Sequence, residues 1–119
     1  MALNGGKYYL AKRIIDLMPA HTHYVEPYAG SLAVLLAKDP EGVSEVANDI
    51  HNHLTNFWRV LISPSGFEHL QRLFEATPFC EKLWRLSLER LRTPCGASGD
   101  ELCPPCAFAF FICCRQSMA

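Results

Sequence analysis

Leu10, Ile14, Leu17 and Met18 recur at offsets of 0, 4, 7 and 8. That is one face of a helix, which Pro19 should close, because the residue before a proline avoids the helical region. His23-Tyr24-Val25-Glu26 carries the β-branched and aromatic residues of a short strand. Pro27 to Ser31 reads as a turn, Leu32 to Ala37 as a buried helix and Asp39 to Gly42 as a second turn. Val43 to Val46, ending at Ala47-Asn48-Asp49, reads as a second strand. Ile50, Leu54, Phe57, Trp58, Leu61 and Ile62 form the strongest helical stripe. Phe67, Leu70, Leu73 and Phe74 predict a further helix, and Phe79, Leu83, Leu86, Leu88 and Leu91 another. Thr93 to Pro105, with two glycines and three prolines before its last residue is passed, reads as a loop. Ala107 to Cys114 should be a buried helix with two prolines at its start.

Two strands that each run into a helix imply a parallel pair with a right-handed crossover. A pair of parallel strands cannot cover both faces and both edges of a sheet. The N-terminal half therefore reads as α/β, the opening of a Rossmann-like sheet, followed by a helical segment. Leu35, Leu36, Phe57 and Trp58 are expected to lack the rest of their partner layer.

The chain has 119 residues, a net charge of −1 and half its residues hydrophobic, which is globular composition. The balance excludes a histone-like basic arm and an acidic tail, but not a local nucleic-acid-binding patch. The longest apolar run, Cys106 to Cys114, is nine residues, against the roughly 20 a membrane span needs. Residues 1–7 have no apolar signal-peptide core, so a soluble intracellular protein is expected. Five of the six cysteines follow residue 94. Cys103-Pro104-Pro105-Cys106 has the spacing of a zinc knuckle or a redox pair, but no second C-x-x-C completes a metal tetrahedron. The favoured reading is that Cys113 and Cys114 are small buried residues and the others lie in a loop.

Chemistry concentrates at Glu26-Pro27-Tyr28-Ala29-Gly30-Ser31-Leu32-Ala33. In open α/β sheets ligands bind at the carboxyl ends of strands. Gly30 allows a tight turn and a close backbone approach. Glu26 could accept a hydrogen bond from a ligand ammonium. Asp49, 19 residues beyond Gly30, suits the two hydroxyls of a ribose. Leu32 stands where a dinucleotide fingerprint needs a glycine for pyrophosphate, so S-adenosylmethionine fits better than NAD. The same spacing equally fits an ordinary strand–turn–helix with Gly30 in the turn and Asp49 capping a helix.

In order along the chain, Asn4-Gly5-Gly6-Lys7-Tyr8, Val25 to Val34, Asn48-Asp49-Ile50, and Ile112 to Met118 resemble four blocks of the DNA adenine-N6 methyltransferases of the phage and enterobacterial type. The resemblance implies S-adenosylmethionine as cofactor, bound by Leu3, Lys7, Glu26, Pro27, Tyr28, Gly30 and Asp49. Leu3 stands where the family usually has an aromatic ring. The resemblance also implies double-stranded DNA as partner, met by Arg115, Gln116, Ser117 and Met118. On this reading residues 1–62 are the N-terminal part of the cofactor-binding domain, and residues 63–119 open a truncated DNA-recognition region. The location would be the cytoplasm of a bacterial or phage-infected cell. The family's catalytic Asp-Pro-Pro-Tyr, which holds the adenine amino group and stacks on the flipped base, is not in these 119 residues. No catalytic residue is therefore assigned, the chain alone is expected to be inactive, and a complementary C-terminal chain is a further expected partner. The competing reading is a non-catalytic S-adenosylmethionine- or nucleotide-binding module; a zinc-knuckle adaptor ranks third.

Other groups carry less. His51 and His53, two apart on a helix, do not share a face, and His21 with His23 lacks a third ligand, so no metal is expected. Lys82, Arg85, Arg90 and Arg92 are interleaved with Glu81 and Glu89, which suggests a solvated face rather than a phosphate patch.

Overall fold

The computed structural model describes residues 7–78, 80–94 and 101–116. They form two compact units that divide between Ile50 and His51. The sequence-derived division at Ile62 falls one helix later. Leu3, Phe79, Cys95, Ser117 and Met118 lie outside the described residues.

In the first unit a turn of 3-10 helix, Tyr8–Leu10, leads into α1, Ala11–Asp16. There follow β1, His23–Glu26, α2, Ala33–Ala37, and β2, Ser44–Ala47. The strands pair in parallel, with His23 opposite Ser44 and Glu26 opposite Ala47, as the strand–helix–strand order requires. Helix α1 packs on α2. Lys38, just past α2, is buried yet charged. Its Nζ lies 3.0 Å from Glu45 Oε1 and 5.5 Å from the centre of the Tyr24 ring, so the end of α2 is tied to both strands. The sheet itself stays open: the paired Val25 and Val46 are 58% and 51% exposed. The result is a mixed, helix-rich fold with a small two-stranded parallel sheet.

The second unit contains α3, Asn52–Ile62, α4, Pro64–Ala76, α5, Glu81–Arg92, and α6, Pro104–Gln116. Local chemistry sets their starts. His51 Nδ1 accepts from the Leu54 N–H at 3.2 Å, and Ser63 Oγ accepts from the Gly66 N–H at 3.3 Å ahead of Pro64. A Cβ on Gly66 would come within 2.8 Å of the Val60 carbonyl oxygen, so the α3–α4 corner needs glycine.

Helix α6 is apolar on nearly every side because α3, α4 and α5 all pack against it. Phe57 meets Phe110 and Phe111 with ring centres 5.7 and 6.1 Å apart; Phe74 meets Phe108 and Phe111 at 5.3 and 4.6 Å. Phe57 is thus buried within its own unit, which corrects the expectation that it lacks a partner layer, while Trp58 is half-buried. Leu36 is exposed, as expected.

Asn56 supplies the polar counterpart of this packing. Its Nδ2 donates to the Cys103 carbonyl and its Oδ1 accepts from the Cys103 N–H, both at 2.9 Å. One side chain thereby satisfies both backbone groups of the residue that opens α6.

Candidate functional site

The glycine turn lies where β1 and β2 end side by side. Its backbone is stitched across the strand ends. The Asn48 N–H donates to the Glu26 carbonyl, and the Ala29 N–H donates to the Asn48 carbonyl, each at 2.9 Å. Asn48 Nδ2 adds a bond to the Pro27 carbonyl at 3.2 Å. Asn48 was given no role of its own in the sequence reading, although it opens the Asn48-Asp49-Ile50 block.

Within this frame Asp49 Oδ2 accepts from the Gly30 N–H at 2.9 Å. The two residues that the spacing paired are therefore in contact. Gly30 has φ +51°, and a Cβ there would meet nothing within 4 Å. Its backbone is thus bare on that side, which is what a ligand approaching the turn requires. Leu32 also lies in the left-handed region, at φ 55°. That conformation is uncommon outside glycine and Asn. The Leu32 side chain is buried, so packing holds the strained turn in place.

Glu26 is 2% exposed. Its Oε1 lies 2.6 Å from Lys7 Nζ and its Oε2 accepts from the Leu35 N–H at 3.3 Å. A buried carboxylate is thus held by an ammonium and by an amide in the first turn of α2. Lys7 also donates to the Tyr28 carbonyl at 3.1 Å. The ammonium that the sequence reading expected from a ligand is, in this structure, the chain's own. Tyr28 is exposed, as is Pro27. Tyr24 is raised above the ordinary phenol value, first by burial and then by the negative charges of Glu26 and Glu45. Lys7, Glu26, Gly30 and Asp49 thus converge on one turn.

Arg115 is exposed and Gln116 half-buried at the end of α6. Gln116 Nε2 is buried and has no hydrogen-bond partner among the described residues. In the basic group of α5, Arg85 is engaged with Glu81 at 2.7 Å, as a solvated mixed-charge face should be. His53 is buried with Nε2 3.2 Å from the Leu91 carbonyl oxygen, and His51 caps α3. No group of three or more His, Cys, Asp or Glu side chains that could hold a metal occurs among the described residues. No helix among them is long and apolar enough to cross a membrane.

A strand-end glycine turn with an acidic side chain from the neighbouring strand is a ligand-binding arrangement of α/β enzymes. The chain belongs to the D12 class N6 adenine-specific DNA methyltransferases, whose family model matches residues 4–86. The match takes in the Lys7, Glu26–Gly30 and Asp49 blocks and ends within α5, so the Ile112–Met118 block lies beyond it. No curated protein and no solved structure matches the chain.

Proposed function

We propose that this chain carries the S-adenosylmethionine-binding part of a DNA adenine-N6 methyltransferase, built on the first strands of a Rossmann-like sheet. The contact of Asp49 with Gly30 carries this reading. It sets a carboxylate against a bare glycine backbone at the ends of two parallel strands. The residues fit the cofactor: Asp49 would accept from the ribose hydroxyls, and the Gly30 backbone would let the ligand approach. The residues Pro27 and Tyr28 would flank its methionine side. Lys7 acts through Glu26, holding the turn and neutralising the buried carboxylate. Ile50, 92% exposed beside Asp49, offers an apolar surface for a base.

Bound S-adenosylmethionine supplies an electrophilic methyl group for the adenine amine. The acceptors that hold that amine in the family belong to Asp-Pro-Pro-Tyr, which these 119 residues do not contain. The chain alone therefore binds cofactor without transferring methyl groups. Transfer requires the adenine pocket from a further segment, together with double-stranded DNA.

Calorimetry tests the cofactor half of this reading. Asp49→Ala should weaken S-adenosylmethionine binding by about 1–3 kcal/mol, the usual result of leaving a buried polar partner unmatched. Equal affinities would remove Asp49 from the site. Transfer of labelled methyl to duplex DNA tests the second half. No turnover is expected from the chain alone, and turnover that disappears in Asp49→Ala would overturn that expectation. Cofactor binding without transfer, even when the downstream coding segment is supplied as a second chain, would favour a non-catalytic binding module.

A further inference from the structure

The Cys103-Pro104-Pro105-Cys106 segment plays no part in cofactor binding, and the structure gives it a specific environment. Arg90, in the last turn of α5, points its guanidinium at the start of α6. Its Nη2 lies 3.9 Å from Cys103 Sγ. Hydrogen bonds to Cys106 first and Cys103 second hold the Arg90 proton more tightly than usual. Arg72 and Arg85 are paired with Glu68 and Glu81. Arg90, by contrast, forms no ion pair with a carboxylate among the described residues. A guanidinium directed at sulfur favours the thiolate, the reactive form of cysteine.

We propose that Cys103 and Cys106 are a reversible dithiol–disulfide centre, with Cys103 the attacking thiolate, Cys106 the resolving thiol and Arg90 the group that activates Cys103. Exposure divides the roles. Cys103 is half-buried and reachable, whereas Cys106 is 5% exposed. Cys103 immediately precedes α6 and Cys106 is its third residue, the C-x-x-C spacing of dithiol centres. The Cys103 backbone is fixed on both sides by Asn56, and its carbonyl accepts from the Ala107 N–H at 3.0 Å. Prolines at the first two helical positions carry no N–H, and Arg90 brings a charged donor to this turn.

The oxidant is a low-molecular-weight disulfide. The Cys103 thiolate attacks one of its sulfurs, the external S–S bond breaks, and the departing thiolate takes a proton from water. Cys106 then loses its proton to solvent and attacks the Cys103 sulfur, releasing the second half as a thiol. Two cysteines lose two electrons, and one external disulfide becomes two thiols.

The test uses the 119-residue chain equilibrated in oxidised and reduced glutathione, acid-quenched, alkylated and mapped by fragment-ion mass spectrometry. The expected product is a Cys103–Cys106 disulfide. In Cys106→Ser the expected product is a single glutathione adduct on Cys103. Cys80 is an internal control, because it is exposed and precedes α5 as Cys103 precedes α6. Iodoacetamide should label Cys103 about tenfold faster than Cys80 at neutral pH, and Arg90→Gln should bring the two rates together. Arg90→Lys, which keeps the charge, should retain part of the difference, and circular dichroism confirms that both variants are folded. Equal labelling of Cys103 and Cys80 in the wild type would overturn the proposal. So would glutathione adducts that never resolve to the disulfide, or zinc that protects both thiols from alkylation.

Discussion

The two units solve the same problem differently. The second encloses its own core: α6 is surrounded by α3, α4 and α5, and its aromatic rings interlock with Phe57 and Phe74. The first leaves its sheet open, with Val25 and Val46 more than half exposed, and is held by polar bonds across the strand ends. A four-residue strand pair has too little surface to bury. Order in the first unit therefore comes from Asn48, Asp49, Glu26 and Lys7, groups that also build the site. Packing sets the shape of the second unit, and hydrogen bonding sets the shape of the first.

The largest effect should come from the packed unit. Phe110→Ala removes a buried ring that faces Phe57 and should cost about 3–5 kcal/mol, measured by urea unfolding followed through helical circular dichroism. A loss under 1 kcal/mol would mean that α6 is not the centre of this unit. Asn56→Ala should follow at about 1–3 kcal/mol, because the Cys103 N–H loses its side-chain partner while its carbonyl keeps the Ala107 N–H. Amide exchange at the start of α6 should rise with it; unchanged protection there would deny the clamp.

Alkaline pH should then weaken both units through different groups. Burial raises the thiols of Cys113 and Cys114 in the second unit, with the neighbouring Cys114 adding to the shift on Cys113, and raises the Tyr24 phenol in the first. In the unfolded chain these groups lose their protons at lower pH than in the folded protein. Between the two values the folded state binds more protons, so stability falls as pH rises. The decline should begin in the thiol range and deepen in the phenol range. Tyr24→Phe should abolish only the later part, and an unaltered profile would place Tyr24 in the same environment folded and unfolded. The smallest effect is expected at the open sheet. Val25→Thr should change stability by no more than about 0.5 kcal/mol, and a larger loss in urea unfolding would show that the exposed face is covered in solution.

The same contrast governs what could be read from the chain. Periodicity located α1, α3, α4 and α5, because burial of one face imposes a repeat on sequence, whereas the strands, α2 and α6 were read from residue type and the turns around them. The apolar run of α6 declared itself buried, but nothing local named Phe57 and Phe74 as its partners. Strand-end spacing drew attention to Gly30 and Asp49 but not to the hydrogen bond between them. The Asn56–Cys103 clamp joins residues 47 apart and leaves no periodic trace. Leu32 misled in a useful way: it excluded a pyrophosphate fingerprint, yet its left-handed backbone is one that its residue type argues against. Glu26 was recognised as a strand-end carboxylate, but its counter-ion, Lys7, comes from a segment ahead of α1 that sequence distance does not tie to it.

The position of α6 has a consequence for biosynthesis. A ribosome releases α3, α4 and α5 before the helix they all pack against. At about 5–20 residues per second, the nascent chain carries Phe57 and Phe74 for some seconds with their eventual partners still unsynthesised. Helical turns form far faster than that, so the three early helices can be present as separate rods while their shared core is absent. Closure of the unit then waits on translation rather than on any conformational search, and those seconds are when a nascent-chain chaperone would find its apolar handhold.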